Sequence, residues 1–209
     1  MKINTLYIDL DDTIYPASTG IWHAIGERIN LFICERFGLE MEDALRLRDE
    51  LFVKYGTTMR GLQVEYHLDE EDYLRYVHDV PLQNFLQPNP QLSVLLNRLP
   101  QRKVILTNAD TRHAQRVLGL LEVESCFEKI IDIRAITPFC KPMPEAFEAA
   151  LGLMDETANR SLLVEDSIKN LTAARGLGFF TVRIGKNGGC GEFDACIDYY
   201  YPILKEKFD

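Results

Sequence analysis

The sequence predicts an α/β fold: a Rossmann-like parallel sheet core with an inserted all-helical cap domain. Three observations predict it. From residue 88 onward, short apolar runs alternate with helical patterns. One isolated apolar run stands near the N-terminus, followed by a long stretch with no strand pattern. Strands that alternate with helices imply a parallel sheet covered on both faces.

Residues 4–9 form the first predicted strand, a buried run that stops abruptly at carboxylates. Apolar residues recur at helical spacing over 21–37, with Gly38 as the C-cap. Trp22, Ile25 and Ile29 are expected in the core of this helix's domain. A charged, Leu-containing pattern predicts a second helix over 41–55. The run Gly56-Thr57-Thr58-Met59-Arg60-Gly61 then reads as a loop, because two glycines bracket it. Asp69 is the expected N-cap of a helix through His78. The acidic series Asp69-Glu70-Glu71-Asp72 reads as a solvated helix start that complements the positive end of the helix.

The pattern changes after Pro81. Helices are predicted over 90–99, 111–120, 142–153 and 167–177, and strands over 103–107, 129–133, 161–165 and 179–184. Residues 1–14 and 86–209 are therefore assigned to the core and 15–85 to the cap. An insertion after the first strand is expected over the carboxyl edge of the sheet, where open parallel sheets bind ligands.

Composition narrows the function. The 209 residues carry a formal net charge of -9, from 23 Lys+Arg and 32 Asp+Glu, a field that repels a nucleic-acid polymer. No run is long enough for a signal peptide or membrane span, so a cytoplasmic location is expected. The five cysteines show no CxxC spacing and read as free thiols. None of His23, His67, His78 and His113 has metal-ligand spacing to another, and none is assigned a catalytic part. Tyr199, Tyr200 and Tyr201 are candidates for packing on the sheet or supporting a dimer; a monomer or homodimer is expected.

Four polar clusters converge if the sheet is parallel: Asp9/Asp11/Thr13, Thr107/Asn108, Lys141 and Glu165/Asp166. Asp9, Asp11 and Asp166 would repel strongly unless a cation sat among them. Oxygen-only ligands suit Mg²⁺. Lys141 supplies a second positive charge, while Thr107 and the turn after it offer donors to phosphate oxygens. These parts fit phosphoryl transfer to Asp9, with Asp11 as the acid and base. Asp12 and Thr13 are expected to stabilise the local turn. Arg60, with Thr58, is the candidate for reading a substrate from the cap.

The clusters resemble the four motifs of the haloacid dehalogenase-type (HAD) phosphohydrolases. Asp-Leu-Asp-Asp-Thr at 9–13 is similar to the first, Leu-Thr-Asn at 106–108 to the second, Lys141 in Cys-Lys-Pro-Met-Pro-Glu-Ala-Phe to the third, and Val-Glu-Asp-Ser-Ile-Lys-Asn at 164–170 to the fourth. The resemblance implies that Asp9, the Asp11 carbonyl and Asp166 hold Mg²⁺. Glu165 stands where the family often has another Asp, acting on the ion directly or through water. Ser167 and Asn170 would support the site, with Asn170 near Lys141. The segments at 11–16, 55–62, 76–78 and 106–110 resemble the pyrimidine 5′-nucleotidase-like subgroup, which implies a nucleoside monophosphate such as UMP or CMP. A phosphatase for another small ester and a phosphomutase are the alternatives. A dehalogenase has no leaving oxygen for Asp11 to protonate. A receiver-type module carries its acidic pair and its phosphorylated Asp on different strands. The complete set of polar residues argues against a non-enzymatic interaction protein on this scaffold.

Overall fold

The computed structural model describes residues 2–185 and the backbone of 195–197. Tyr199, Tyr200 and Tyr201 lie outside the described residues. The chain forms two compact units, one made of residues up to Thr19 together with those from Leu86 onward, the other Gly20–Phe85.

Among the described residues the first unit is a parallel sheet of six strands with flanking helices. Its strands are β1 (Thr5–Ile8), β2 (Arg102–Leu106), β3 (Lys129–Ile131), β4 (Ser161–Glu165), β5 (Phe180–Ile184) and β6 (Ala195–Ile197). The order is β3-β2-β1-β4-β5-β6. β1 lies between β2 and β4, with Ile8 opposite Ile105 on one side and Val164 on the other. The chain leaves β1 in one direction and returns to its other side at β4. This is the topological switch point, where a crevice opens at the carboxyl ends of the strands. β6 is a short strand that the sequence pattern does not signal; three residues are too few to establish a period.

Every residue of β1 is buried. Tyr7 faces a core with Val104, Leu106 and Leu163, closed by Phe147, Ala150, Leu171 and Ala174 from two helices, α7 (Pro144–Met154) and α8 (Ile168–Gly176). Leu6 and Ile8 project to the opposite face by strand alternation and are buried as well, so both faces are covered. Helices α5 (Pro90–Arg98) and α6 (Thr111–Leu120) bury Leu92, Leu96, Val117 and Leu118. α7 starts at Pro144, not at the expected Pro142; proline again occupies the first turn, where a missing N–H costs nothing. Among the described residues no helix is long and apolar enough to cross a membrane, and Cys34, Cys126 and Cys140 are free thiols.

The second unit is helical: α1 (Ile21–Phe37), α2 (Met41–Tyr55), α3 (Thr58–Tyr66) and α4 (Glu70–Val77). α1 buries Ile21, Ile25, Ile29 and Ile33, and Gly38 ends it in the left-handed region at φ 64. Trp22 falls off this stripe and is 46% exposed, which corrects its expected place in the core. Asp69 caps α4 by accepting from the N–H groups of Glu71 and Asp72.

The loop expected at 56–61 is also corrected. Only the break at Gly56 exists; Thr57 is an N-cap whose hydroxyl accepts from Arg60 N–H, and α3 follows at once. Gly61 is not a flexible joint. A Cβ there would lie 2.7 Å from Leu51 Cβ and 2.9 Å from the Tyr55 ring, so its absence lets α3 pack closely on α2.

Candidate active site

The end of β1 passes directly into the site. Asp9 N–H donates to Val164 O at 3.0 Å, which extends the β1–β4 ladder by one step and aligns Asp9 with the end of β4. Its carboxylate is nearly buried. Lys141 Nζ donates to Asp9 Oδ1 at 2.6 Å and to Glu165 Oε2 at 2.8 Å. One ammonium thus lies between two carboxylates from neighbouring strand ends.

Lys141 is held from the backbone outward. Asn108, just past β2, donates from Nδ2 to Lys141 O at 2.9 Å, and its Oδ1 accepts from Lys141 N–H at 2.9 Å. Both ends of the Asn108 amide are engaged in bracing the lysine's own peptide groups. Glu165 Oε2 also accepts from Asn170 Nδ2 at 3.0 Å, and Oε1 from Ser167 N–H at 3.2 Å. Asn170 and Ser167, at the start of α8, therefore fix the carboxylate that fixes the lysine. Thr107 is buried, and its hydroxyl accepts from Ala109 N–H at 2.9 Å, shaping the turn after β2.

Asp9, Glu165 and Asp166 each offer a carboxylate oxygen, and these oxygens lie within 4.8 Å of one another. Burial first, then the Glu165 charge, push the Asp9 carboxyl from the ordinary 3.8 up to about 7, although Lys141 pulls it down. Burial also raises Asp166 and Glu165. Asp12 is pushed up to about 6 by burial and by Asp11 and Asp9. Burial opposes the charge on Lys141, but Asp9 and Glu165 outweigh it and raise its pKa. One ammonium among this many acidic groups leaves the cluster short of positive charge. The donors are all oxygen, so the chemistry suits a hard divalent cation. Glu165 has hydrogen bonds on both oxygens, whereas Asp166 is only partly buried and takes a long 3.5 Å contact from the Thr13 hydroxyl.

Asp11 lies in the turn after β1. Asp12 beside it adopts φ 58, a conformation that Asp tolerates better than most residues. Tyr15 OH donates to Asp11 Oδ1, and His113 Nε2 lies 2.9 Å from the same oxygen. Motif matching and metal-ligand spacing give His113 no part. The available signal is its position: it is the third residue of α6, capped by Asp110, immediately after the β2 turn.

Arg60 and Thr58 are in the first turn of α3 and are buried. Arg60 Nη1 donates to Gln63 Oε1 at 2.7 Å and lies 3.6 Å from Glu70 Oε2. Thr58 Oγ1 donates to Arg48 O at 3.4 Å. The loop expected at these residues is corrected to a packed helix start, because Thr57 caps it and Gly61 permits the close approach; Arg60 and Thr58 stay the candidates for reading a substrate.

The parallel sheet thus gathers acidic residues and a lysine at its switch point. A family model described as haloacid dehalogenase-like hydrolase matches residues 3–178, and the chain belongs to that family. Phosphate metabolism protein 8 of Saccharomyces cerevisiae (strain ATCC 204508 / S288c) is 27% identical over 188 residues, which cover 82% of this chain. The match spans 58% of that relative's length. Among solved structures, CbbY from Rhodobacter sphaeroides in complex with xylulose-(1,5)bisphosphate has a TM-score of 0.66 at 17% identity, covering 93% of each chain. A HAD phosphatase from Thermococcus onnurineus has a TM-score of 0.62 at 20% identity, covering 94% of this chain and 93% of its own. The HAD-hydrolase YfnB from Bacillus subtilis bound to magnesium has a TM-score of 0.59 at 18% identity, covering 94% and 95%. At these identities the structures establish a shared fold.

Proposed function

We propose that this protein is a Mg²⁺-dependent phosphatase of small phosphomonoesters that works through an aspartyl-phosphate on Asp9, with a pyrimidine nucleoside monophosphate such as UMP or CMP as substrate. The observation that carries the chemistry is the buried Lys141 ammonium between Asp9 and Glu165, with Asp166 beside them. It keeps a carboxylate nucleophile in place at the end of a strand and offsets part of its charge. The pyrimidine preference is supported by the resemblance at 11–16, 55–62, 76–78 and 106–110. The name of the yeast relative, a phosphate metabolism protein, is in keeping with phosphate chemistry. The free thiols suit a reducing, cytoplasmic setting.

Asp9, the Asp11 carbonyl and Asp166 would hold the Mg²⁺, with Glu165 supporting it. When bound, the ion supplies charge neutralisation between the substrate phosphate and the carboxylates. Asp9 attacks phosphorus in line, forming the aspartyl O–P bond as the bond to the leaving oxygen breaks. Asp11 gives its proton to that oxygen, then removes one from the water that hydrolyses the aspartyl-phosphate. Thr107 and the main-chain N–H groups of its turn receive phosphate oxygens, and Lys141 balances the charge gathered at Asp9. Asp11 distinguishes this reading from dehalogenation, which leaves no oxygen to protonate.

The test is release of inorganic phosphate from a panel of nucleoside monophosphates, sugar phosphates and simple esters, with and without Mg²⁺. The expected result is Mg²⁺-dependent release, fastest from UMP or CMP and abolished by Asp9→Asn. Release that survives Asp9→Asn would refute the mechanism, and preference for another ester would refute the substrate.

A further inference from the structure

Asp11 is gripped by two residues from different parts of the core unit. Tyr15 is four residues along the same turn, and its hydroxyl donates to Asp11 Oδ1. His113 comes from α6, 102 residues away in sequence, and its Nε2 reaches the same oxygen at 2.9 Å. Both rings are essentially inaccessible to solvent. Their surroundings are as fixed as their ends. Asp110 caps α6 by accepting from His113 N–H at 3.0 Å, so the first turn carrying the imidazole is anchored at its backbone. Asp132, just past β3, accepts from both Thr111 N–H and the Thr111 hydroxyl, which ties the same turn to the neighbouring strand.

The convergence on a single oxygen has a chemical consequence. A carboxyl oxygen that accepts from a phenol O–H and an imidazole N–H has no room for a proton of its own. The proton of the acid form then belongs on the other oxygen. We propose that Tyr15 and His113 are positioning residues for Asp11. They hold Oδ1, with His113 in its Nε2–H form, so that the proton exchanged with the leaving oxygen is carried on Oδ2 at a fixed orientation. In the first half-reaction that proton passes from Oδ2 to the leaving oxygen as the P–O bond breaks. In the second, Oδ2 recovers a proton from the attacking water. The inference rests on the phosphatase reading and adds to it the two groups that aim its acid.

A positioning role separates from a merely structural one by its dependence on the leaving group. A nucleoside 5′-monophosphate departs as an alkoxide and needs the proton; p-nitrophenyl phosphate departs as a stable phenolate and does not. kcat/KM reports the phosphoryl-transfer step for both. Tyr15→Phe removes one oxygen atom and keeps the ring. It is expected to lower kcat/KM for the nucleotide about 10- to 100-fold, but that for p-nitrophenyl phosphate by less than about 3-fold. His113→Leu should show the same asymmetry, and His113→Gln, whose amide can donate from a similar place, should recover part of the nucleotide rate. Thermal unfolding of each variant shows that it is folded when assayed, and Tyr15→Phe keeps the test open should His113→Leu fail to fold. Equal losses on the two esters, or no loss on either, would overturn the proposal while leaving the phosphatase in place. No phosphate release by the unsubstituted protein would remove the phosphatase reading and this inference with it.

Discussion

Asp9→Asn should abolish turnover and yet stabilise the metal-free protein at neutral and alkaline pH. The Asp9 carboxyl is raised from 3.8 to about 7, chiefly by burial and then by the Glu165 charge. Between these values the folded protein binds a proton at Asp9 that the unfolded chain has released. Stability therefore falls as pH rises from about 4 to about 7, and the loss persists above it. A displacement of about 3 pH units, at about 1.36 kcal/mol each, sets an upper limit of about 4 kcal/mol. Asparagine has nearly the same shape and never ionises. Lys141 keeps its 2.8 Å bond to Glu165 in the variant, so the lysine is not left without an anion. Urea unfolding in the presence of a chelator, at pH 4 and at pH 8, measures the effect. The two proteins should be nearly equal at pH 4, and the Asn variant should be more stable at pH 8 by about 2–4 kcal/mol. Saturating Mg²⁺ should then close the gap by stabilising the native protein, by about 2.7 kcal/mol at 100 times its dissociation constant. A variant less stable than the native protein at pH 8, or a gap of equal size at both pH values, would refute the account of Asp9 as a buried, charge-crowded carboxylate.

Lys141→Met leaves Asp9 and Glu165 buried without their shared cation; stability at pH 8 should fall by about 3 kcal/mol in urea unfolding, with phosphate release lost. Asn108→Ala removes both hydrogen bonds to the Lys141 backbone, and kcat should fall about 10-fold while the protein stays folded, as read by steady-state kinetics and circular dichroism. Gly61→Ala forces a methyl into Leu51 and should cost about 1–3 kcal/mol, seen as a lower urea midpoint with an unchanged slope. Arg60→Ala breaks the internal bond to Gln63, so thermal stability should drop; KM for nucleotides should rise more than activity on p-nitrophenyl phosphate changes, and equal effects on both would argue against a substrate-reading role.

The strand ends are legible because their signal is local. β1 and β4 are apolar runs halted by Asp9 and Glu165, and a parallel sheet carries such halts to one edge. Motif order along the chain adds Lys141 and Asp166 as candidates, and the structure brings both close to Asp9. The segment at 56–61 misleads because Gly61 has two meanings that local sequence does not distinguish. One is freedom of φ; the other is a missing side chain where another helix must approach, and only the position of Leu51 decides between them. Trp22 misleads for a related reason: an aromatic beside an apolar stripe scores as core, yet it lies one residue off the buried face of Ile21, Ile25 and Ile29.

By itself the sequence determined the alternation of strands and helices, the insertion after the first strand and the acidic clusters at strand ends. Periodicity and chain order carry all three, and neither depends on which residues meet across the fold. Tertiary structure alone decided the partnerships. Lys141 is shared between Asp9 and Glu165, Asn108 braces the backbone that presents it, and Tyr15 and His113 meet on one oxygen of Asp11. Hydrogen bonds need their atoms within about 3 Å. Separation along the chain says nothing about that distance, and residues 102 or 132 positions apart come together only once the sheet has brought its strand ends side by side.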